Sequence, residues 1–306
     1  MVAVLGIADL LSDGPRSTNE LAALTTCNPD ALYRLMRALA RSGVFEEQQD
    51  RRFALAPLGE PLREDHERSL RAQAIFAGSS YVWEAWAGLE HSIRSGENAF
   101  ERVHGQNAWQ YRAAHPHDSA VFDAWMARQT GAANDAIVGG FDFSRFAEVV
   151  DVGGGHGALL AAILEANPEA HGTLFDQEHV VAEAPRRERM RTVAGSFFES
   201  VPAGADAYVL KSVIHDWADE QALAILRTCA AALSGDARLL LVERDPDDAD
   251  SAWLDLQMLV MLGGRERTAD EYEQLLETVG LHYMGATKLE GGHAIYEARL
   301  PPPAPR

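Results

Sequence analysis

Cysteine is scarce: Cys27 and Cys229 are the only two in 306 residues, and they lie far apart. They show no metal-ligand spacing and suit a reducing compartment. Long apolar runs are missing too. No stretch approaches the ~18–20 consecutive apolar residues of a membrane span. Met1–Ile7 has neither a basic n-region nor a small-residue cleavage site, so a signal peptide is not expected. A cytoplasmic protein with no membrane partner is the expectation. Basic charge is the third shortage, 27 Lys and Arg against 46 Asp and Glu, a formal charge of −19. Such a field repels phosphates, so nucleic acid is not expected as a partner. The longest basic cluster, Arg186-Arg187-Glu188-Arg189-Met190-Arg191, is short and interrupted and reads as a solvated helix face. No internal repeat is visible.

What is present is ample material for a core, 47% apolar, in a chain long enough for one large or two smaller domains. Ser17-Thr-Asn-Glu20 is a capping box that opens a helix over Glu20–Leu24. Asn28-Pro29-Asp30 starts a second helix, with Leu32, Leu35, Met36 and Leu39 at helical spacing. Gly43 stands near its end, and Val44–Glu46 with Arg52–Leu55 reads as a hairpin wing. Helix, turn, helix and wing suggest a winged-helix unit, for DNA binding or as a scaffold and dimerisation module. Arg34, Arg37 and Arg41 give the second helix a basic edge, but acidic residues outnumber basic ones across residues 1–66. Dimerisation is favoured.

Residues 70–130 read as helical and aromatic, with Phe76, Tyr81, Trp83, Trp86, Phe100, Trp109, Tyr111, Phe122 and Trp125 mostly expected in the core. Some could contact a flat apolar ligand. Trp125 and Met126 are candidates for that role, as are Met258 and Met261, although helix-spaced Met and Trp usually belong to a core. From about residue 147 strands and helices alternate. Strands are expected at Ala147–Val152, Gly172–Phe175, Asp206–Leu210 and Ala237–Val242, and helices at Ala158–Ala166, Glu220–Leu233 and Ala269–Val279. A hairpin over His282–Lys288 and His293–Leu300 closes the chain. The pattern is α/β: a doubly wound, mostly parallel, Rossmann-like sheet with an antiparallel edge hairpin.

Asp151-Val-Gly-Gly-Gly-His-Gly157 joins the first of these strands to its helix. Glycines there permit φ > 0 and close backbone approach, beside the free N–H groups of a helix start. Gly153, Gly155 and Ala158 also satisfy the dinucleotide fingerprint, and Asp176, with Gln177 beside it, suits the ribose of either cofactor. Asp151 favours another ligand. A carboxylate two residues before the first glycine repels a pyrophosphate but suits a cofactor with a cationic sulfonium and an ammonium group.

Ligands of open α/β sheets bind outside the carboxyl ends of the strands. Asp151, His215 and Glu243 are all expected at that edge. An imidazole can take the proton of a phenolic hydroxyl, and a carboxylate beside it orients the ring and stabilises its charged form. Glu243 and Glu266, the latter in Gly263-Gly-Arg-Glu-Arg-Thr268, are the candidates for that carboxylate. Methyl transfer from a sulfonium needs no metal, and no metal site is visible.

These segments, with Gly195-Ser-Phe-Phe198, Leu210-Lys-Ser-Val-Ile-His-Asp-Trp217 and Leu241-Val-Glu243, resemble the caffeic acid/hydroxyindole-type O-methyltransferases, particularly bacterial members that decorate aromatic natural products. The resemblance covers nearly the whole chain. It implies a class I methyltransferase fold using S-adenosylmethionine, with a dimerisation domain over 1–90, a catalytic domain with a helical substrate-pocket segment over 91–306, and a homodimer acting on a small aromatic substrate. It implies that Asp151, Gly153, Gly155, Asp176, Gln177, Phe197 and Lys211 belong to the cofactor site, and that His215 is the base flanked by Glu243 and Glu266. Ser196, counted with the cofactor residues, stands where the family carries an acid facing the adenine. The chain also begins later than the family pattern, so the first dimerisation helix is expected to be short or absent. The rival readings are a homologue that binds the same cofactor for hydroxylation or decarboxylation, an NAD-type dehydrogenase, and a DNA-binding regulator.

Overall fold

Ser17 and Glu20 make the reciprocal bonds that their spacing allows. Glu20 N–H donates to Ser17 Oγ at 3.3 Å, and Ser17 N–H donates to Glu20 Oε2 at 2.7 Å. After a short helix α1 (Ile7–Leu10) and strand β1 (Arg16–Ser17), this box starts α2 (Thr18–Thr25). Asn28 caps α3 (Pro29–Arg41), its Oδ1 accepting from Ala31 N–H at 3.0 Å. Strands β2 (Phe45–Gln48) and β3 (Arg52–Leu55) form the wing, with β1 on the other side of β3. Ile7, Leu21, Met36 and Phe53 are fully buried beneath it. The expected helix–turn–helix and wing are therefore present.

The computed structural model describes residues 1–248 and 251–302, without the side chains of 127–130 and 132. One compact unit comprises Met1–Glu84 and Trp109–Arg128, and a second comprises Ala85–Ala108 and Gln129–Arg306. Helices α4 (Arg71–Ala77), α5 (Ser80–Ala87), α6 (Leu89–Ser95), α7 (Ala99–His104), α8 (Ala108–Ala114) and α9 (Pro116–Gly140) fill the middle of the chain. Phe76, Tyr81, Phe100 and Trp125 are buried as expected of core aromatics, whereas Trp83 is 66% exposed. Its neighbours Tyr81 and Val82 take the inward positions of α5.

In the second unit, β4 (Glu148–Val152), α10 (Ala158–Ala166), β5 (His171–Asp176), α11 (Glu178–Glu183), β6 (Met190–Ala194), β7 (Ala207–Lys211), α12 (Asp219–Ala232) and β8 (Arg238–Arg244) follow in turn. Helices α13 (Ser251–Met261) and α14 (Ala269–Thr278) precede the hairpin of β9 (His282–Leu289) and β10 (His293–Arg299). Among the described residues seven strands form one sheet, ordered β6-β5-β4-β7-β8-β10-β9. All pairings are parallel except β8–β10 and β10–β9. The order reverses between β4 and β7, which is the position where such sheets bind ligands.

Alternation along the strands decides which face each residue serves. Val149, Val209, Leu240 and Val242 pack with Leu160 and Ile163 of α10, while Val150, Val152, Leu210, Leu239 and Leu241 pack with α12 and α14. Both faces are apolar because helices cover both. By the same parity Asp151 and Lys211 lie on the α10 face, and Glu243 on the α12–α14 face.

The basic cluster at 186–191 is not a helix face, contrary to the sequence expectation. Helix α11 ends at Glu183, Arg189 adopts a left-handed φ of 62°, and β6 begins at Met190. The Arg189 guanidinium donates to the carbonyls of Leu164, Asn167 and Ala170 at 2.8, 3.1 and 2.8 Å, satisfying the end of α10. Arg191 Nε donates to Thr173 Oγ1 at 2.8 Å across the β5–β6 pair. Hydrogen bonds to a charged donor contribute about 1.5–3 kcal/mol each. Arg189→Ala removes three such bonds at a half-buried site and is therefore expected to lower stability by roughly 3 kcal/mol or more in urea denaturation, and an unchanged midpoint would remove this cap from the account of the fold.

Candidate active site

The loop after β4 is a tight glycine cradle. Gly153, Gly155 and Gly157 have φ of 69°, 59° and 74°, conformations that L side chains rarely adopt. Gly153 N–H donates to Phe175 O at 2.8 Å, and Gly155 N–H donates to Asp176 Oδ2 at 2.9 Å. The second Asp176 oxygen accepts from Gln177 N–H at 2.7 Å. Asp176 thus stands at the end of β5, beside the loop, with its carboxylate oriented by backbone N–H groups. Burial pushes its pKa up, against those two bonds.

Asp151 is 2% exposed, and among the described residues neither carboxylate oxygen has a hydrogen-bond partner. A Cβ at Gly154 would lie 2.4 Å from its Cγ, so only glycine admits the side chain there. Burial raises its pKa to about 7, with Lys211 opposing the shift and Asp176 adding to it. Lys211, one of two lysines in the chain, ends β7 on the same face of the sheet. Its own pKa is lowered by burial and supported by Asp151 and Glu243. An orphaned, buried carboxylate at the switch point of an α/β sheet is a receptor for a cation or for several hydrogen-bond donors.

Phe197 packs over Gly153: a Cβ built there would meet its ring at 3.4 Å. Phe198 stands edge-on to Trp217 at 4.9 Å. Ser196 instead serves its own turn, its Oγ accepting from Phe198 N–H at 3.3 Å.

His215 lies in the tight turn Ile214–Asp216 after β7 and is 7% exposed. Its Nδ1 is 2.7 Å from Glu266 Oε1 and 3.6 Å from Glu243 Oε2, and its Nε2 is 3.4 Å from Asp216 Oδ1. Both predicted carboxylates therefore reach the ring nitrogen. Asp216 joins them, and the only sequence signal for it is its place next to His215. Burial pushes the imidazole pKa down, but Glu243, Asp216 and Glu266 together outweigh it and hold the proton to about pH 10. Glu243 is fully buried, and burial raises its pKa to about 7 despite His215. Its Oε1 accepts from Ile214 N–H at 2.8 Å and Val213 N–H at 3.3 Å. One oxygen of Glu243 fixes the turn while the other faces the ring.

Trp125 is buried and stacks on Phe76 at 4.4 Å, with Met126 half-buried after it. Met258 and Met261 are buried on α13, in the second unit.

Comparison with known proteins agrees with this arrangement. The O-methyltransferase domain model matches residues 86–282, and the O-methyltransferase dimerisation domain model matches residues 1–65. The chain belongs to the O-methyltransferase family. It is 41% identical to a phenazine O-methyltransferase of Lysobacter antibioticus, over 98% of this chain and 91% of that protein. The mitomycin 7-O-methyltransferase structure superposes with a TM-score of 0.93 at 36% identity, covering 98% of this chain and 92% of that one. An O-methyltransferase from neocarzinostatin biosynthesis, solved with S-adenosylmethionine and 2-hydroxy-5-methyl naphthoic acid, gives a TM-score of 0.89 at 34% identity, covering 98% and 94%. Membership makes this chain an S-adenosylmethionine-dependent methyltransferase, and the dehydrogenase reading falls away. The orphaned Asp151 carboxylate and the glycine cradle fit that cationic donor.

An acid whose pKa rises on folding binds more protons folded than unfolded, so its contribution to stability falls as pH climbs. For Asp151 the fall runs from its ordinary value of 3.8 to about 7. Asp151→Asn is expected to flatten this slope and to gain on the order of 2–4 kcal/mol relative to wild type between pH 4 and pH 8 in the ligand-free protein. Parallel pH–stability curves for the two proteins would show that the carboxylate is not buried unpaired.

Proposed function

We propose that the enzyme methylates a hydroxyl of a small aromatic acceptor, with His215 as general base. The observation that carries this reading is the buried imidazole held at Nδ1 by Glu266, with Glu243 behind it. When bound, S-adenosylmethionine supplies a methyl group on cationic sulfur. Asp151 suits its ammonium group, Asp176 its ribose hydroxyls, and Phe197 and Ser196 its adenine side. Gly153, Gly155, Gln177 and Lys211 complete the set of donor contacts.

With the Nδ1 proton directed at Glu266, the neutral ring presents the Nε2 lone pair to the acceptor hydroxyl. The proton of that hydroxyl would pass to Nε2, leaving the oxygen able to take the methyl group that the donor supplies when bound, as the carbon–sulfur bond breaks. Asp216 and the two glutamates then stabilise the imidazolium. A phenol has a pKa near ~10, so a base raised to about 10 takes its proton at little thermodynamic cost. At neutral pH the same carboxylates keep the ring protonated, so activity requires the fraction that has lost its proton. Met258 and Met261, in the same unit as His215, are proposed acceptor contacts by their apolar chemistry. The acceptor is of the kind found in aromatic natural products, in a cytoplasmic setting, with neither nucleic acid nor membrane as partner. The complete His215–Glu243–Glu266 set favours methyl transfer over hydroxylation or decarboxylation on the same scaffold.

General-base catalysis contributes roughly 10²–10⁴-fold. His215→Ala is expected to lower kcat by that order in a labelled-methyl assay with phenols and naphthols, while donor binding by calorimetry persists. Retention of the full rate would remove His215 as the base. In the wild-type enzyme kcat should rise with pH toward about 10, because the neutral ring is the active form. Glu266→Gln removes one stabilising charge and should move that limb to lower pH; an unmoved limb would separate Glu266 from the titration. The dimerisation match supports a homodimer, for which light scattering should give about twice the 33.4 kDa chain mass, and a mass of one chain would refute it.

A further inference from the structure

Arg267 is 1% exposed, among the most deeply buried large side chains of the protein, and its guanidinium is spent on one short stretch of chain. Nη1 donates to Ile214 O at 3.0 Å and Nη2 to Trp217 O at 2.8 Å. Nε and Nη2 also donate to Asp219 Oδ1 at 3.1 and 2.7 Å. The carbonyls taken are those flanking His215 and Asp216. Two more contacts bring the same segments together. Arg265 N–H donates to His215 O at 2.9 Å, and a Cβ at Gly264 would fall 2.0 Å from that oxygen. On the other side of the turn, Glu243 accepts from the N–H groups of Val213 and Ile214.

The turn is thus gripped by its N–H groups from β8 and by its carbonyls from the 263–268 segment. That second segment also carries Glu266, whose N–H is anchored to Asp255 Oδ1 at 2.8 Å. The imidazole and its carboxylate lie on different stretches of chain, and Arg267, next to Glu266, ties those stretches together. A planar fork with five donors can take two carbonyls and a carboxylate at once, which an ammonium on a flexible stem cannot do with the same geometry.

We propose that Arg267, with Asp219, is a positioning residue that fixes the distance between His215 and Glu266. The proposal rests on His215 being the base. Misplacement of a reacting group by about 1 Å can cost ~10²-fold in rate, so the effect should appear in kcat and not in affinity. Arg267→Lys keeps the charge but loses the fork. It is expected to lower kcat by about 10–100-fold, with KM and the donor Kd within about threefold of wild type. Asp219→Asn, at a carboxylate 59% exposed, should lower kcat by a smaller factor in the same direction without threatening the fold. Combined with His215→Ala, Arg267→Lys should cost less than about threefold more, because positioning a base that is absent has no value.

Three results would overturn the proposal. They are a kcat for Arg267→Lys within threefold of wild type, an equal loss in the His215→Ala background, or donor Kd and KM moving with kcat. If His215→Ala alone leaves the rate unchanged, the base assignment fails and the proposal with it. If His215→Ala is slow and Arg267→Lys is not, only the clamp fails. Should Arg267→Lys not fold, Asp219→Asn, at an exposed carboxylate, still decides the question: an unchanged kcat there would overturn the proposal.

Discussion

The 2.7 Å contact between His215 Nδ1 and Glu266 Oε1 joins segments 51 residues apart in sequence, and the site depends on it. Neither partner is accessible enough to rely on water for its solvation. His215 and Glu266 are 7% and 8% exposed, and Glu243 is fully buried. An isolated buried charge of either sign would be costly, whereas an imidazolium among three carboxylates is strongly favoured. The cluster therefore gives up some of the neutral base in the resting enzyme to gain a site that receives a proton readily. This is a sensible exchange when the acceptor is itself a weak acid.

In the proposed assignment, the sheet separates this proton chemistry from the recognition of the donor. Asp151 and Lys211 project on the α10 face, and Glu243 on the face packed against α12 and α14, because strand side chains alternate. Both sets stand at the carboxyl edge, on β4, β7 and β8, around the place where the strand order reverses. In the proposed assignment, a cation near Asp151 and a proton on His215 each have their own carboxylates. Were all of these acids on one face, their mutual repulsion would raise every pKa further, and none would be reliably ionised near neutrality.

Local chemistry made much of this legible in the sequence. The Ser17 capping box, the Asn28 cap, the glycine loop and the alternation of strands with helices are short-range signals, and each element appears within a residue or two of its expected place. Strand β6 was not legible. Its burial pattern is largely exposed, since it is the edge of the sheet, and its arginines look like those of a solvated helix. Arg189 shows why: its partners are the carbonyls at the end of α10, more than 18 residues back, and no local pattern announces them. The role of Arg267 was hidden for the same reason. The Gly-Gly-Arg-Glu-Arg-Thr segment drew attention to Glu266, while the adjacent arginine is defined only by carbonyls brought to it by folding. The grouping of Trp109–Arg128 with the first 84 residues is likewise a long-range outcome.

The departures from ordinary folding rules at this edge follow from the same logic. Among the described residues, Asp151 Oδ1 and Oδ2, Glu243 Oε2 and Glu266 Oε2 are buried without hydrogen-bond partners, and Ser212, just before the His215 turn, holds a left-handed φ of 53°. Each costs free energy that a packed apolar residue or a glycine would not. Natural sequences tolerate such conflicts where function requires them and offset them elsewhere. Here the offset is visible in the scaffold beneath, where Val152, Leu210 and Leu241 on one face of the sheet and Val209, Leu240 and Val242 on the other are fully buried under the covering helices. It is also visible in Arg267, whose guanidinium is satisfied from both nitrogen branches. A rigid surround lets unsatisfied carboxylates persist where they stand instead of relaxing toward water: Glu243 and Glu266 stay against the imidazole, and in the proposed assignment Asp151 stays available to the donor.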